Sequence, residues 1–317
     1  MEKCEMKLSF VIPCFNSEHI IEKVIDEIIA TVQQRSQYDY EIVCVNDCSP
    51  DHVLDVLRRL AAENGKIKVI DFAINVGKHA AVLAGYSFVE GDYIVNLDDD
   101  YQSPVNHLWT LIDAVENDEC DVALAQYTKK KQTLWKNAGS DFNLRLGAIL
   151  MDKPANIRFE NFSVIKRFVA DEMIRYDNPY PFLEGLIWRT TRRIKTFQME
   201  ERQRGDRRSS GYTLRKSISL FFNGFTAFSV KPLRLSTLVG FLVAMAGFIW
   251  AFVLLLRKIL GRITVVGYAS TTIIQLILGG LILMSLGLIG EYIGRMYISM
   301  NKSPQYVIKE TINCEKE

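Results

Sequence analysis

VNLDDDYQSP, residues 95–104, is the stretch on which the reading of this chain turns. Three consecutive carboxylates, Asp98, Asp99 and Asp100, follow the apolar, strand-like Asp92–Leu97 and precede a helix opened by Pro104. A strand ending in clustered acids sets hard oxygen ligands at the carboxyl edge of a sheet, where open α/β folds bind their ligands. Mg²⁺ or Mn²⁺ holding a diphosphate prefers such ligands. Standing alone, the triplet reads as a solvated acidic turn. The sequence on either side gives it a context.

Upstream, strands alternate with helices. Leu8–Ile12 reads as a strand, and the helix from about Glu18 repeats Ile21, Val24, Ile25, Ile28 and Val32 at helical spacing. Glu41–Val45 is a second strand, after which Ser49 and Pro50 supply an N-cap and a first-turn proline for a helix over Asp51–Glu63. Lys68–Phe72, Tyr93–Leu97 and Asp121–Ala125 complete the strands, with helices at Gly77–Val89 and near Val105–Glu116. Repeated βα units require a parallel sheet with right-handed crossovers. The ligand is therefore expected where strands end, at Pro13–Asn16, Asn46–Ser49, Asn75–Lys78 and Asp98–Gln102.

Downstream, the composition changes. Net charge over the 317 residues is +1, so no global field points to nucleic acid. Yet residues 236–256 (STLVGFLVAMAGFIWAFVLLL) and 263–290 carry no charge. Each is long enough to cross a hydrocarbon core of about 30 Å, and two transmembrane helices are expected at about 236–256 and 268–292. Basic residues flank the spans on both sides, so the positive-inside count does not orient them. Met1–Lys7 runs straight into the strand-like LSFVIP, and no leader peptide is expected. The six cysteines show no metal-ligand spacing and read as free cytosolic thiols. Tyr212–Phe228 carries an aromatic stripe with Arg215 and Lys216 beside it, the pattern of a helix lying in the membrane interface or of a core-packed helix. Gly290 and Gly294 suit close helix packing within or between subunits, hence a homo-oligomer, and Glu291 and Arg295 are spaced to pair.

FVIPCFNSE, VNDCSPD, NVGKHAAVLAG and LDDDYQSP stand in the order found in family 2 glycosyltransferases of the GT-A fold. The tail SGYTLRKSI, KPLRL and LGLIGEYIGRMY resembles that family's polyprenyl-phosphate branch, which includes bactoprenol glucosyltransferases, dolichol-phosphate mannose synthases and the undecaprenyl-phosphate aminoarabinose transferase. The resemblance implies a Rossmann-like, mainly parallel GT-A domain over residues 1–210, a juxtamembrane amphipathic helix over 211–234, a two-helix membrane region over 235–295 and a cytoplasmic tail over 296–317. It implies an enzyme of the cytoplasmic (inner) membrane, multi-pass, with its catalytic domain in the cytoplasm. That enzyme moves a sugar from a nucleotide sugar, UDP-linked in the bacterial branch, to undecaprenyl phosphate in the bilayer.

Matched position by position, the resemblance makes Asp98, Asp100 and Gln102 the ligands of Mg²⁺ or Mn²⁺, with Asp98 and Asp100 catalytic. Such an ion neutralises the charge that builds on a departing nucleoside diphosphate. Asp99 turns toward the donor or serves structure. Pro13, Phe15 and Asp47 match the nucleobase pocket, and Asn16 lies beside them. Phe15 stands where Tyr is usual, and the usual VDDGS is here VNDCS, changed at Asn46 and Cys48. Asp47 accepts from a base N–H or caps an Asx-type turn. Lys78 is placed to meet diphosphate oxygens or is solvated. His79 falls in no metal motif and is assigned no chemistry.

In ENFSVIKR, Asn161 occupies the position where many relatives carry an acidic residue discussed as a base, with Glu160 beside it. A hydroxyl acceptor would need that base, but a phosphate monoester, with a second pKa of about 6, is already largely a dianion at neutral pH. The site must then hold two anions, a task suited to the forked donors of arginine. Arg202 is the best acceptor-phosphate candidate and a catalytic one. Arg204, Arg207 and Arg208 compete with it, and Ser210 and Tyr212 match a Ser-x-Tyr of the branch. A basic loop drawn to anionic lipid explains the same arginines. The expected activity is inverting, metal-dependent transfer, giving a lipid-linked monosaccharide for a surface glycan or envelope lipid. One alternative is a nucleotide-sugar-binding membrane protein without catalysis. The other, a processive polysaccharide synthase, predicts more spans and a QxxRW motif that the chain lacks.

Overall fold

The computed structural model describes residues 6–127, 157, 159–179, 181–200, 202, 231–260, 267–301 and 304–314. Two compact units result, one of residues 1–214 with 302–317 and one of 215–301.

In the first unit, β1 (Met6–Cys14), β2 (Tyr38–Asn46), β3 (Ile67–Phe72) and β4 (Tyr93–Asn96) form a parallel core in the order β3-β2-β1-β4. Helices α1 (Ile21–Val32), α2 (Val53–Glu63), α3 (Lys78–Tyr86) and α4 (Leu108–Glu116) follow these strands in turn, the last behind a short 3₁₀ turn at Val105–His107. The period-2 alternation of β1 sends Leu8, Phe10 and Ile12 into one layer, where they pack with Ile21, Ile25 and Ile28 of α1. Val11 points into the opposite layer, toward α3. There Gly85 is required, because a Cβ on it would stand 2.5 Å from Val11 Cγ1. Ala80 to Tyr86 are buried without interruption, so α3 reads as apolar all round rather than amphipathic.

The sheet is mixed, with two strands running against the other six. β6 (Ser163–Lys166) runs antiparallel to β4 and separates it from β5 (Val122–Tyr127), and β7 (Ile194–Met199) pairs with β5 in parallel. Helices α5 (Arg167–Ile174) and α6 (Leu183–Thr190) follow β6. Beyond β3 lies β8 (Ile308–Ile312), antiparallel. Residues that read as a tail therefore supply a strand, anchored by Asn313 Nδ2 donating to Ala61 O at 2.8 Å and Ile67 O at 2.9 Å.

One local expectation fails. The helix after β2 starts at Val53, with His52 at the cap position, not at Ser49 and Pro50. Ser49 Oγ instead accepts from Asn16 N at 2.8 Å and donates to Asp51 Oδ1 at 2.6 Å, so it joins two strand-end loops.

In the second unit, α7 (Lys231–Ile259) and α8 (Tyr268–Met300) pack on one another, and Ser236 Oγ meets Ser285 Oγ at 3.1 Å. Ile277–Gly294, with mean hydropathy 1.7 and no residue buried, is long and apolar enough to cross a membrane. The first expected span holds a shorter apolar stretch, Ser236–Gly247. Among the described residues, a Cβ on Gly290 or Gly294 would meet nothing within 4 Å. Of the juxtamembrane helix expected over 211–234, residues 211–230 lie outside the described residues and 231–234 belong to α7; Arg204, Arg207, Arg208, Ser210, Tyr212 and the side chain of Arg295 also lie outside them.

Candidate active site

Four strand-to-helix loops meet at the carboxyl ends of β1 to β4, and each contains one residue with positive φ: Asn16 at 57°, Cys48 at 49°, Gly77 at 91° and Tyr101 at 62°. Left-handed backbone costs a non-glycine residue about 1–2 kcal/mol. The loops accept that cost to reverse direction within a few residues and stay above the strand ends. Cys48 occupies the glycine position of the motif this segment resembles and keeps the conformation a glycine would adopt.

The acid cluster divides by role. Asp98 receives hydrogen bonds from Lys78 Nζ and from Asn161 Nδ2, so α3 and the segment before β6 converge on one carboxylate. Asp99 turns away from them and accepts the Phe15 N–H at 2.8 Å, tying the end of β4 to the end of β1. Burial lifts its pKa to about 6, with the charges of Asp98 and Asp100 adding, while the Phe15 N–H and Ser17 pull it down. Of the two roles expected for Asp99, the bond to Phe15 is structural. Asp100 Oδ1 accepts the Gln102 N–H at 3.1 Å, a turn closed around Tyr101.

Around this cluster, the remaining predicted residues separate. Pro13 is buried inside β1, whereas Phe15 and Asn16 are exposed beside it. The 45% exposed ring of Phe15 offers an open stacking face. Asp47 is buried and accepts Val76 N and Gly77 N, each at 2.8 Å. It caps the β3–α3 loop, and burial raises its pKa against those two bonds. Asn46 is tied down likewise, donating to Asp71 Oδ1 at 2.7 Å.

Arg202 reaches the same end of the sheet. Its N–H meets Gln102 O at 3.4 Å, and its guanidinium lies 5.4 Å from the centre of the Tyr101 ring. The guanidinium pairs with Glu27 at 2.6 Å and donates to Asn106 Oδ1 at 2.9 Å. It stands beside the acid loop with its donors engaged by protein.

Among the described residues, no three His, Cys, Asp or Glu side chains surround one point, so these residues build no closed metal cage. A divalent ion shared with a diphosphate needs none, because one or two carboxylates suffice when phosphate oxygens and water fill the other positions. Asp98 and Asp100 supply hard oxygen donors of that kind, and the residues present fit such an ion.

Sequence reading missed the wall beyond Asp98. A cavity of about 90 Å³ is lined by Lys78, His79 and Tyr86 of α3, Asn96 of β4, Asn161, and Phe182 just ahead of α6. His79 meets Phe182 edge to face at 5.5 Å. Only its adjacence to Lys78 marked His79 in the sequence. Phe182 carried no signal, because its place depends on how the segment after β6 folds back.

Residues 9–174 match the glycosyl transferase family 2, and residues 231–296 match a GtrB C-terminal hairpin. The chain is 29% identical to a prophage bactoprenol glucosyl transferase homolog of Escherichia coli, over 96% of this chain and 99% of that protein. It is also 29% identical to an undecaprenyl-phosphate 4-deoxy-4-formamido-L-arabinose transferase of Proteus mirabilis, over 98% of this chain and 95% of that protein. The crystal structure of mannosyl-3-phosphoglycerate synthase from Rubrobacter xylanophilus shares the fold, with a TM-score of 0.50 at 17% identity over 73% of this chain and 74% of that one. The acid loop at the end of β4, set in a GT-A sheet and followed by a hairpin of this kind, belongs to a glycosyltransferase, and the chain is a member of glycosyl transferase family 2.

Proposed function

We propose that this enzyme moves a sugar from a nucleoside diphosphate sugar, UDP-linked, to undecaprenyl phosphate, with inversion at the anomeric carbon. The observation that carries the reading is the amide of Asn161 donating to Asp98. An amide takes no proton, so the group facing Asp98 is no base. An acceptor that arrives already ionised needs none, and a phosphate monoester is such an acceptor. The relatives whose printed names specify bactoprenol or undecaprenyl phosphate support the same acceptor.

The residues then divide the work. Phe15 stacks on the base, beside Asn16 at the end of β1. Lys78 stands at the start of α3, which has no side-chain cap, so the positive end of the helix dipole adds to its ammonium near a departing diphosphate. Asp98 and Asp100 would hold Mg²⁺ or Mn²⁺ together with Gln102, and the ion would neutralise charge on the leaving group. Arg202 would exchange Glu27 and Asn106 for the acceptor phosphate, with Arg204, Arg207, Ser210 and Tyr212 proposed to join it. Attack by the phosphate opposite the leaving diphosphate is a single displacement, which inverts the centre.

A membrane anchor fits the second unit. Residues on both sides of 215–301 belong to one folded unit, which lies on one side of any bilayer. Crossings must then come in pairs. At 1.5 Å per residue, the 29 residues of α7 and the 33 of α8 each exceed a hydrocarbon core of about 30 Å. The first unit is proposed to be cytoplasmic, the side on which nucleotide sugars are made.

The test incubates purified full-length protein with Mn²⁺, undecaprenyl phosphate and a panel of labelled nucleotide sugars. Label extracted into organic solvent names donor and acceptor. No lipid-soluble label from any donor overturns the proposal.

A further inference from the structure

The cavity beside Asp98 is lined by His79 and Asn96, whose buried Nδ1 and Oδ1 have no hydrogen-bond partner among the described residues. Buried polar groups are almost always satisfied, so each exception calls for an explanation, a bound ligand among them. Asn96 donates from Nδ2 to Ser163 Oγ at 3.2 Å, and its side chain also meets Tyr86. His79 is held by its edge-to-face contact with Phe182. Burial, reinforced by the Lys78 charge, lowers its pKa to about 4, so the ring is neutral and offers one donor and one acceptor.

The remaining wall fits a particular ligand class. Val82, Leu97, Phe182 and Ile187 give apolar surface between the polar groups, and Glu160 and Glu184 add carboxylates that can accept from hydroxyls. A pyranose or furanose ring has that character, with C–H faces and a rim of hydroxyls. Lys78 and Asn161 line the cavity, and both also bind Asp98. A ring seated here therefore adjoins the carboxylate at which the diphosphate is proposed to sit.

We propose that this cavity receives the transferred sugar as a hydroxyl-bearing ring, and that His79 and Asn96 set its specificity by hydrogen bonding to its hydroxyls. The inference rests on the donor reading given above and adds to it the residues that choose the sugar. A site built to bond a hydroxyl penalises a ring lacking one there, because its own buried groups are left unpaired.

The experiment measures equilibrium binding of UDP- and GDP-sugars to the full-length protein with Mn²⁺, each against its bare nucleoside diphosphate. Wild type should favour one sugar of the panel. For that sugar, His79→Phe, which retains a ring against Phe182, should lower the affinity ratio of sugar nucleotide to bare nucleotide about tenfold and leave the bare nucleotide unchanged. His79→Gln, which restores a donor and an acceptor, should recover part of the ratio. Asn96→Ala should lower it as well, and thermal midpoints near wild type show that the variants fold. An unchanged ratio in both His79→Phe and Asn96→Ala overturns the inference, since a trapped water then satisfies both atoms. So does equal weakening of bare nucleotide and sugar nucleotide, or a wild type that binds every sugar alike. Failure of the transfer reading appears separately, as selective sugar binding without lipid-soluble product.

Discussion

The ammonium of Lys78 donates to the carboxylate of Asp98, joining the first turn of α3 to the loop that ends β4. Asn161 donates to the same carboxylate from the segment before β6. One acid thus organises three elements, and a cationic side chain waits where diphosphate charge is proposed to develop.

Removing Lys78, or the neighbouring carboxylate Asp100, should cost chemistry rather than folding. Asp100→Ala is expected to reduce transfer by at least about 10²-fold, and Lys78→Met by about 10–10²-fold in kcat/KM for the donor, the scale seen when one preorganised electrostatic group is deleted. Steady-state transfer to undecaprenyl phosphate checks both. Wild-type turnover of Asp100→Ala would remove that residue from any metal site.

Asn161→Asp tests whether a base is missing. If the acceptor arrives ionised, a carboxylate here gains nothing and sets a like charge against Asp98 in place of a hydrogen bond. Transfer should fall several-fold. A rise would mean that a proton must be removed after all.

Asp99 gives stability a pH dependence. Its pKa is raised from the ordinary value to about 6, so the folded chain binds more protons than the unfolded one between about pH 4 and 6. The stability contributed by protonated Asp99 is therefore lost as pH rises through that window, and above it the buried charge is a standing cost. Asp99→Asn keeps an acceptor for the Phe15 N–H without the charge. Its thermal midpoint should exceed wild type by a few degrees at pH 7.5 and match it near pH 4.5, read by circular dichroism in detergent. Equal shifts at both pH values would contradict the assignment.

Cys48→Gly should stabilise the protein. Relief of left-handed strain, about 1–2 kcal/mol, outweighs the extra chain entropy of glycine, about 0.5–1 kcal/mol. A net gain of roughly 0.5–1 kcal/mol should appear as a small rise in the thermal midpoint, and a fall would show that the Cys48 Sγ contact to Ala73 O at 3.6 Å matters more than the strain.

Arg202→Ala should raise KM for undecaprenyl phosphate about tenfold with little change in donor binding, since its guanidinium lies beside the acid loop. Donor titration and lipid titration, run in parallel, separate the two. Unchanged lipid dependence would pass the role to Arg204 or Arg207.

Local pattern carried the order of β1 to β4 with their helices. The apolar alternation of Phe10 and Ile12, and the helical repeat of Ile21, Ile25 and Ile28, are properties of short segments and survive without context. The same holds for the acids of Asp98–Asp100 at a strand end and for the apolar runs of α7 and α8. These need only backbone period and side-chain polarity.

What no segment contains is who faces whom. β6 inserts antiparallel between β4 and β5, and β8 returns from the far end of the chain to pair with β3, because strand edges are satisfied by whatever backbone the fold brings near. That insertion brings Asn161 to Asp98, and the fold that follows it sets Phe182 against His79. It likewise turns Asp47 onto Val76 and Gly77, and Asp99 onto Phe15, two carboxylates that by residue type alone read equally well as ligand-facing. The sequence by itself determined which chemistry stands at the sheet edge. Only the tertiary structure decided that Asp47 and Asp99 are engaged by backbone N–H groups of other loops, because a hydrogen-bond partner is chosen by proximity in space and not by spacing along the chain.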